Sequence, residues 1–162
     1  GLALGLLGVE LAKKVVHHKA STGDLMVFPL ILAMIIGRVG CFSMGIHEET
    51  YGTPTSFFLG MELGDGMNRH PVALYEIGFL LVVTIFLIFI KKSAFYYSGL
   101  LFQLFMLLYF SFRFLLDFIK PRHELILSLG AIQLVCLMVI FYYIYCLRKF
   151  YPFKGLNLFS RI

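Results

Sequence analysis

The fold is decided by an apolar stretch of 21 residues, LMVFPLILAMIIGRVGCFSMG, which runs from Leu25 to Gly45 and carries one charge, Arg38. Ser21 to Asp24 precede it with capping residues. As a helix, the stretch is long enough to cross a hydrocarbon core of about 30 Å. An arginine near the bilayer centre costs roughly 2.5 to 3.5 kcal/mol, so such a side chain normally faces a protein interior and has a partner. Arg38 therefore marks a candidate site, and the rest of the chain has to supply its partner.

The composition is that of a membrane protein. Of the 162 residues, 60% are hydrophobic, 17% are aromatic and only 14% are charged. One soluble core cannot bury so much apolar surface, so we expect a lipid bilayer to cover part of it. The net charge of +5 does not indicate a nucleic-acid partner, because Lys and Arg form short clusters at the ends of the apolar runs. Such clusters encode the orientation of a membrane protein.

Three further apolar stretches predict membrane spans: Pro71 to Ile90, Gly99 to Ile119 and Leu125 to Leu147. Gly1 to Val16 resembles the tail of an earlier span, and without an initiator Met we expect a fragment lacking its amino-terminal part. The sequence thus predicts an all-α polytopic membrane bundle with four full transmembrane helices and a partial first one. We expect a single domain over residues 1–162, with an outer polar loop at about 46–70. Nine of the fourteen Lys and Arg fall in segments that this arrangement places in the cytoplasm.

The charges inside the predicted spans lie at one depth. At about 1.5 Å of rise per residue, Arg38 and Arg113 each lie roughly 20 Å from the cytoplasmic end of their spans. Glu76, on the helix that runs back, is roughly 8 Å below the outer boundary, which is nearly the same plane. Tyr109, Arg113 and Asp117 are spaced i, i+4, i+8 and share one helix face. We expect four charged groups and a phenol to meet in the outer leaflet.

Two interpretations of this cluster stay open at the level of the residues. In the first, Arg38 pairs with Glu76 and Arg113 pairs with Asp117, and these ion pairs only set the register of the helices. In the second, the arginines hold an anionic phosphodiester, because guanidinium groups bind phosphate bidentately. The glycines around Arg38 would let the backbone approach such a ligand, which would then be a phospholipid.

Three motifs occur in order along the chain: Gly37-Arg38-Val39-Gly40-Cys41-Phe42 with Gly45, then His70-Pro71-Val72-Ala73-Leu74-Tyr75-Glu76, then Tyr109-x-x-x-Arg113-x-x-x-Asp117. They resemble Gly-Arg-Ile-Gly-Asn-Phe-Ile-Asn-Gly, His-Pro-x-x-Leu-Tyr-Glu and Tyr-x-x-x-Arg-x-x-x-Glu of the prolipoprotein diacylglyceryl transferase family. Tyr51-Gly52 is similar to the continuation of the first motif. The chain departs from the family at Cys41 and Asp117, and a glutamine of the last helix is displaced to Gln133.

The resemblance implies a divergent, amino-terminally truncated member that begins at about the third of seven helices. Its reaction would move a diacylglyceryl group from phosphatidylglycerol to the thiol of a lipobox cysteine in a prolipoprotein. The site would face outward from the bacterial plasma membrane. The implied catalytic residues are Arg38 and Arg113, which would stabilise the departing glycerol phosphate, and His70, a candidate base. The implied substrate-binding residues are Gly37, Gly40, Cys41, Gly45, Gly52, Tyr75, Glu76, Tyr109 and Asp117. We expect no cofactor and no metal.

Other roles stay open for several of these residues. His70 before Pro71 could be a cap or loop contact, and Glu76 and Asp117 could orient the arginines or exchange protons. Cys41 could act as a covalent nucleophile or simply as a small apolar residue. Beyond the site, the chain could be a phospholipid-binding subunit or a transporter half without turnover, or a paralogue with a different acceptor.

Overall fold

The computed structural model describes residues 5, 8, 23–47, 51–93, 96–120 and 130–150. These residues form four α-helices: α1 Gly23–Met44, α2 Val72–Lys91, α3 Leu100–Leu116 and α4 Ala131–Phe150. The all-α polytopic membrane architecture is therefore confirmed. Of the predicted amino-terminal segment, residues 5 and 8 alone are described, and residues 125–129 of the predicted last span lie outside the described ranges.

Among the described residues, three stretches are long and apolar enough to cross a membrane: Gly23–His47, Val72–Lys91 and Ala131–Arg148. Helix α3 is shorter than its predicted span, with 17 residues where 21 were expected. It ends early because the backbone turns after Leu116, where Phe118 N donates to Leu115 O at 3.2 Å. At about 1.5 Å per residue, α3 lies at the lower end of the length range for a span.

Helix α3 lies at the centre of the bundle. Its buried side chains pack against buried residues of the other three helices; the core includes Leu101, Phe105 and Met106 of α3, Val27 and Ile31 of α1, Leu80, Val83 and Leu87 of α2, and Cys136 and Tyr143 of α4. The outer faces of α1, α2 and α4 expose large apolar side chains such as Leu25, Phe89 and Phe141. A helix that is apolar on all sides suits a bundle whose outer surface contacts lipid.

Asp24 joins the start of α1 to the start of α3. Its carboxylate accepts hydrogen bonds from the backbone N–H groups of Gly99 (2.7 Å) and Phe102 (3.0 Å) and from the hydroxyl of Tyr96 (3.0 Å). The residue before α3 is Gly99, with φ 96°, which has no side chain to cap the helix. Asp24, predicted among the capping residues of its own helix, therefore caps α3, where a carboxylate also complements the helix dipole.

The loop between α1 and α2 is tied to the ends of three helices. It begins with a 3-10 turn, Gly45–His47, and contains a two-stranded antiparallel hairpin, β1 Met61–Glu62 and β2 Asn68–Arg69. Ile46 N donates to Leu63 O at 3.2 Å, and Thr53 N donates to Ile119 O at 2.9 Å. The loop predicted at about 46–70 thus packs against the end of α3 that carries Arg113 and Asp117.

Candidate active site

Glu76 is the centre of the site and pairs with both arginines. Its side chain is 1% exposed, and its two oxygens pair with Arg38 Nε and Arg113 Nη1. Because Arg38 lies on α1, Glu76 on α2 and Arg113 on α3, one carboxylate joins three helices. The predicted common depth of these three residues is confirmed by their direct contact.

The pairing of Arg113 with Asp117, part of one of the two open interpretations, is not observed among the described residues, since Arg113 pairs with Glu76. Asp117 is the last residue of the helical turn that closes α3 and is 9% exposed. Its Oδ2 faces Gly130, where it would lie 3.4 Å from an added Cβ. A carboxylate at the end of a helix, such as Asp117, can turn toward an adjacent segment of the same chain. The fully buried carboxylate of Glu76 instead needs a positively charged partner within the bundle.

The cluster carries excess positive charge. Two guanidinium groups share one carboxylate, which leaves a net charge of +1. Each guanidinium has five N–H donors, and Glu76 occupies only part of them. The side chains of Arg38 and Arg113 are still 19% and 15% exposed. The site can therefore bind an anion without giving up the ion pairs that hold it together.

Arg38 is held by two further side chains. The phenol of Tyr109 lies within interaction range of the Arg38 guanidinium, and the Tyr109 ring contacts those of Phe105 and Phe110, at centroid distances of 5.8 and 5.7 Å. Cys41 lies one turn after Arg38, with its Sγ 4.0 Å from Nη1. Within the described ranges this guanidinium, and not a histidine, is the polar contact of Cys41. The thiol is thus a neighbour of the cation without an adjacent base.

His70 is positioned by the loop and bonded to Tyr75. Its Nδ1 lies 3.1 Å from the Tyr75 hydroxyl. The backbone of Gly52 packs against it so closely that a Cβ on Gly52 would lie 2.6 Å from His70 Cβ. Helix α2 has Pro71 as its N-cap, without a side-chain cap hydrogen bond, so the His70 imidazole is not a cap. The space over Gly52 is filled by His70 and is not open to a ligand.

The glycines of the first motif differ in their surroundings. Gly37 and Gly40 are exposed, and a Cβ at either position would meet nothing within 4 Å. Gly45 has φ 57°, and its Cβ would lie 2.6 Å from the carbonyl oxygen of Leu63. Gly45 is therefore required by the backbone itself, whereas Gly37 and Gly40 leave open positions beside Arg38.

One residue of this region was missed by sequence reasoning, and a second, Gln133, was noted there without a role. The Lys120 ammonium lies within electrostatic range of the cluster formed by Arg38, Glu76, Arg113 and Asp117. Its pKa is lowered to about 8, mainly because burial disfavours the charged form and secondly because Arg113 repels it. Lys120 follows Arg113 by seven residues, a spacing that places both on the same side of a helix, and this spacing could have indicated Lys120 as part of the site. Gln133 on α4 is fully buried. A lone amide in the otherwise apolar stretch at the start of α4 was the available signal.

A bundle of apolar helices in which two arginines share a buried carboxylate defines a polytopic membrane protein with a positively charged cluster between its helices. The family model of prolipoprotein diacylglyceryl transferase matches residues 1–148, and the chain belongs to this family.

Several curated relatives carry the name phosphatidylglycerol–prolipoprotein diacylglyceryl transferase. The protein of Bordetella parapertussis is 35% identical over 135 residues, which cover 78% of this chain and 50% of the relative. That of Finegoldia magna is 30% identical over 117 residues, covering 72% and 46%, and that of Nitratidesulfovibrio vulgaris is 31% identical over 156 residues, covering 89% and 58%. The chain thus spans about half the length of the curated relatives it matches. No solved structure matches it.

Proposed function

We propose that the chain takes part in the transfer of a diacylglyceryl group from phosphatidylglycerol to the thiol of a lipobox cysteine in a prolipoprotein. The observation that carries the proposal is the buried Glu76 shared by Arg38 and Arg113, which leaves one unit of positive charge. A phosphodiester headgroup carries one negative charge and accepts bidentate hydrogen bonds from guanidinium groups. The names of the relatives support this donor and this acceptor.

The arginines would act on the charge that develops in the reaction. A bond forms between the cysteine sulfur and the terminal carbon of the diacylglyceryl group, while the bond from that carbon to the phosphate oxygen breaks. Glycerol phosphate leaves with one more negative charge than the phosphodiester had, and the thiol proton passes to a base. Arg38 and Arg113, held by Glu76 beside buried aromatic rings, supply fixed positive charge where this negative charge appears.

His70 is the proposed base, and its bond to Tyr75 sets a condition on that role. If Nδ1–H donates to the Tyr75 oxygen, Nε2 is free to accept a proton; if Tyr75 donates to Nδ1, Nε2 carries the hydrogen and cannot. The proposal therefore requires the first tautomer. Tyr75→Phe removes this control of the tautomer, and we expect it to lower kcat with a smaller change in KM.

The remaining residues would shape the lipid site. Gly37 and Gly40 leave open space on either side of Arg38, Tyr109 would hold Arg38 in place, and Asp117 would fix the end of α3 against Gly130. Residues 1–162 would act as one membrane domain in the bacterial plasma membrane, with the loop at 46–70 and the site toward the outer face.

The proposal is tested with the full-length protein in lipid nanodiscs, using labelled phosphatidylglycerol and a lipobox peptide. Transfer appears as the mass of a diacylglyceryl group on the peptide. Arg38→Ala and Arg113→Ala should each lower kcat by roughly 10²-fold or more, as expected for the loss of a donor to developing charge. Arg148→Ala removes an exposed guanidinium near the opposite end of α4 and should leave transfer unchanged.

Other outcomes would redirect the assignment. Binding of the lipid without modification of any lipobox peptide would contradict the transferase proposal and favour a non-enzymatic lipid-binding subunit. Transfer to another thiol acceptor would indicate a paralogue, in line with Cys41 where the family motif has asparagine.

A further inference from the structure

Gln133 has a buried hydrogen-bond donor, Nε2, for which the described residues supply no acceptor. Its side chain is fully buried, and Oε1 accepts a hydrogen bond from the backbone N–H of Gly130 at 3.0 Å. This contact fixes the orientation of the amide, because a flipped amide would place two donors face to face. Nε2 then has no acceptor in the part of the chain that the structure describes.

The cap at the start of α4 accounts for the Oε1 acceptor of Gln133 but not for its Nε2 donor. Gly130 directly precedes the helix and Gln133 is its third residue, so the contact is one half of a capping box. Such a cap needs an acceptor, and a glutamate would supply one with a charge that favours a helix N-terminus. A buried N–H without an acceptor destabilises a fold, and native structures satisfy nearly all such groups. The Nε2 donor therefore calls for a partner that the described protein does not supply.

The position of Gln133 relates this donor to the arginine site. Gly130, its capping partner, lies against the Asp117 carboxylate. Cys136, three residues after Gln133 and also buried, is within electrostatic range of both Arg113 and Asp117. Residues three apart share one helix face, so Gln133 lies on the face of α4 that packs toward this end of α3.

We propose that Gln133 Nε2 donates a hydrogen bond to an uncharged oxygen of the phospholipid bound at Arg38 and Arg113, and so helps to select that lipid. The inference rests on the proposed function and deepens it. The guanidinium groups are matched to the charged phosphate, whereas a neutral amide donor is matched to a carbonyl or hydroxyl oxygen. Two parts of a glycerophospholipid offer such an oxygen: the acyl ester carbonyls and the hydroxyls of a glycerol headgroup.

The test compares two variants of the full-length protein in nanodiscs. Gln133→Glu keeps the acceptor for Gly130 N–H and removes the amide donor, while Gln133→Met removes both. We expect both variants to bind phosphatidylglycerol more weakly and to show a raised KM, by about 3- to 10-fold for the loss of one neutral hydrogen bond, with kcat changed less. Gln133→Glu buries a charge and Gln133→Met does not, so a similar loss of affinity in both variants assigns the effect to the missing donor and not to the cap.

Two lipid analogues identify the oxygen. If the ester carbonyl is the acceptor, wild type should bind a diether phosphatidylglycerol as weakly as the variants do. If the headgroup hydroxyl is the acceptor, wild type should bind phosphatidylpropanol that weakly. Wild-type affinity for phosphatidylglycerol in both variants, together with a lower unfolding temperature of Gln133→Met, would overturn the inference and leave Gln133 as a cap. Binding by wild type that depends on Gln133, without any transfer, would overturn the proposed function and support the inference.

Discussion

Replacing Glu76 with glutamine tests the physical basis of the site. Glu76→Gln keeps the shape of the side chain and removes the charge that Arg38 and Arg113 share. Removing one partner of a buried ion pair costs about 3 to 5 kcal/mol. Because the arginines are still 19% and 15% exposed, we expect the lower end, about 3 kcal/mol of lost unfolding free energy.

The measurement is reversible denaturant unfolding in detergent micelles, with and without phosphatidylglycerol. Glu62→Gln is the matched control, because Glu62 is exposed on β1 and accepts one hydrogen bond from Gly66 N at 3.2 Å. We expect that control to change stability by no more than about 0.5 kcal/mol. An anionic headgroup can replace part of the missing charge, so added phosphatidylglycerol should stabilise Glu76→Gln more than it stabilises the wild type.

Two results would refute this reasoning. A loss of less than about 1 kcal/mol in Glu76→Gln would mean that solvent, and not the carboxylate, balances the two guanidinium charges. An equal gain in stability from the lipid in both proteins would mean that the headgroup does not bind at the arginines.

Four further changes test other parts of the structure. Asp24→Ala removes the acceptor for two backbone N–H groups and one hydroxyl at the start of α3. It should lower the unfolding free energy by about 2 kcal/mol in the same assay, and an unchanged value would show that water caps this helix equally well. Burial lowers the pKa of Lys120 from 10.5 to about 8, so between these pH values the unfolded chain binds the extra proton. The unfolding free energy should then rise with pH over that window, by at most about 1.4 kcal/mol per pH unit, and a rise of the same size in Lys120→Met would contradict the assignment. In Gly40→Ala the added Cβ meets nothing within 4 Å, so the change should stabilise α1 by up to about 1 kcal/mol. A stable variant with weaker transfer would show that the lipid occupies this position, and unchanged transfer would show that it does not. The contrasting change is Gly52→Ala, in which the added Cβ would lie 2.6 Å from His70 Cβ. We expect this substitution to lower the unfolding free energy by about 1 to 3 kcal/mol.

Much of the bundle could be predicted from the sequence because few physical rules decide it. Apolar length indicated the spans, and the second of them, expected at Pro71 to Ile90, is observed at Val72–Lys91. The meeting of Arg38, Glu76 and Arg113 followed from a constant rise per residue together with the need to pair charges away from water. The end of α3 was less predictable, since it depends on a turn after Leu116 and not on hydropathy.

The partners of the polar side chains were less predictable than their depth. Spacing of i, i+4 suggested Arg113 with Asp117, yet Arg113 turns to Glu76 on a different helix. Asp24 caps a helix that begins 76 residues later in the chain. The orphan amide of Gln133 becomes visible only when its burial and its bond to Gly130 are known together.

By itself, the sequence determined that this is a polytopic helical membrane protein, that Arg38, Glu76 and Arg113 share one level of the bundle, and which family its motifs resemble. Only the tertiary structure decided that one carboxylate serves two arginines and that the His70 imidazole is bonded to Tyr75 and does not cap α2. It also decided that Gln133 Nε2 has no acceptor among the described residues. The physical reason is that helix period and rise fix the depth and face of each residue along its own axis. They leave open the rotation and tilt of one helix against another, and these decide which side chains come into contact.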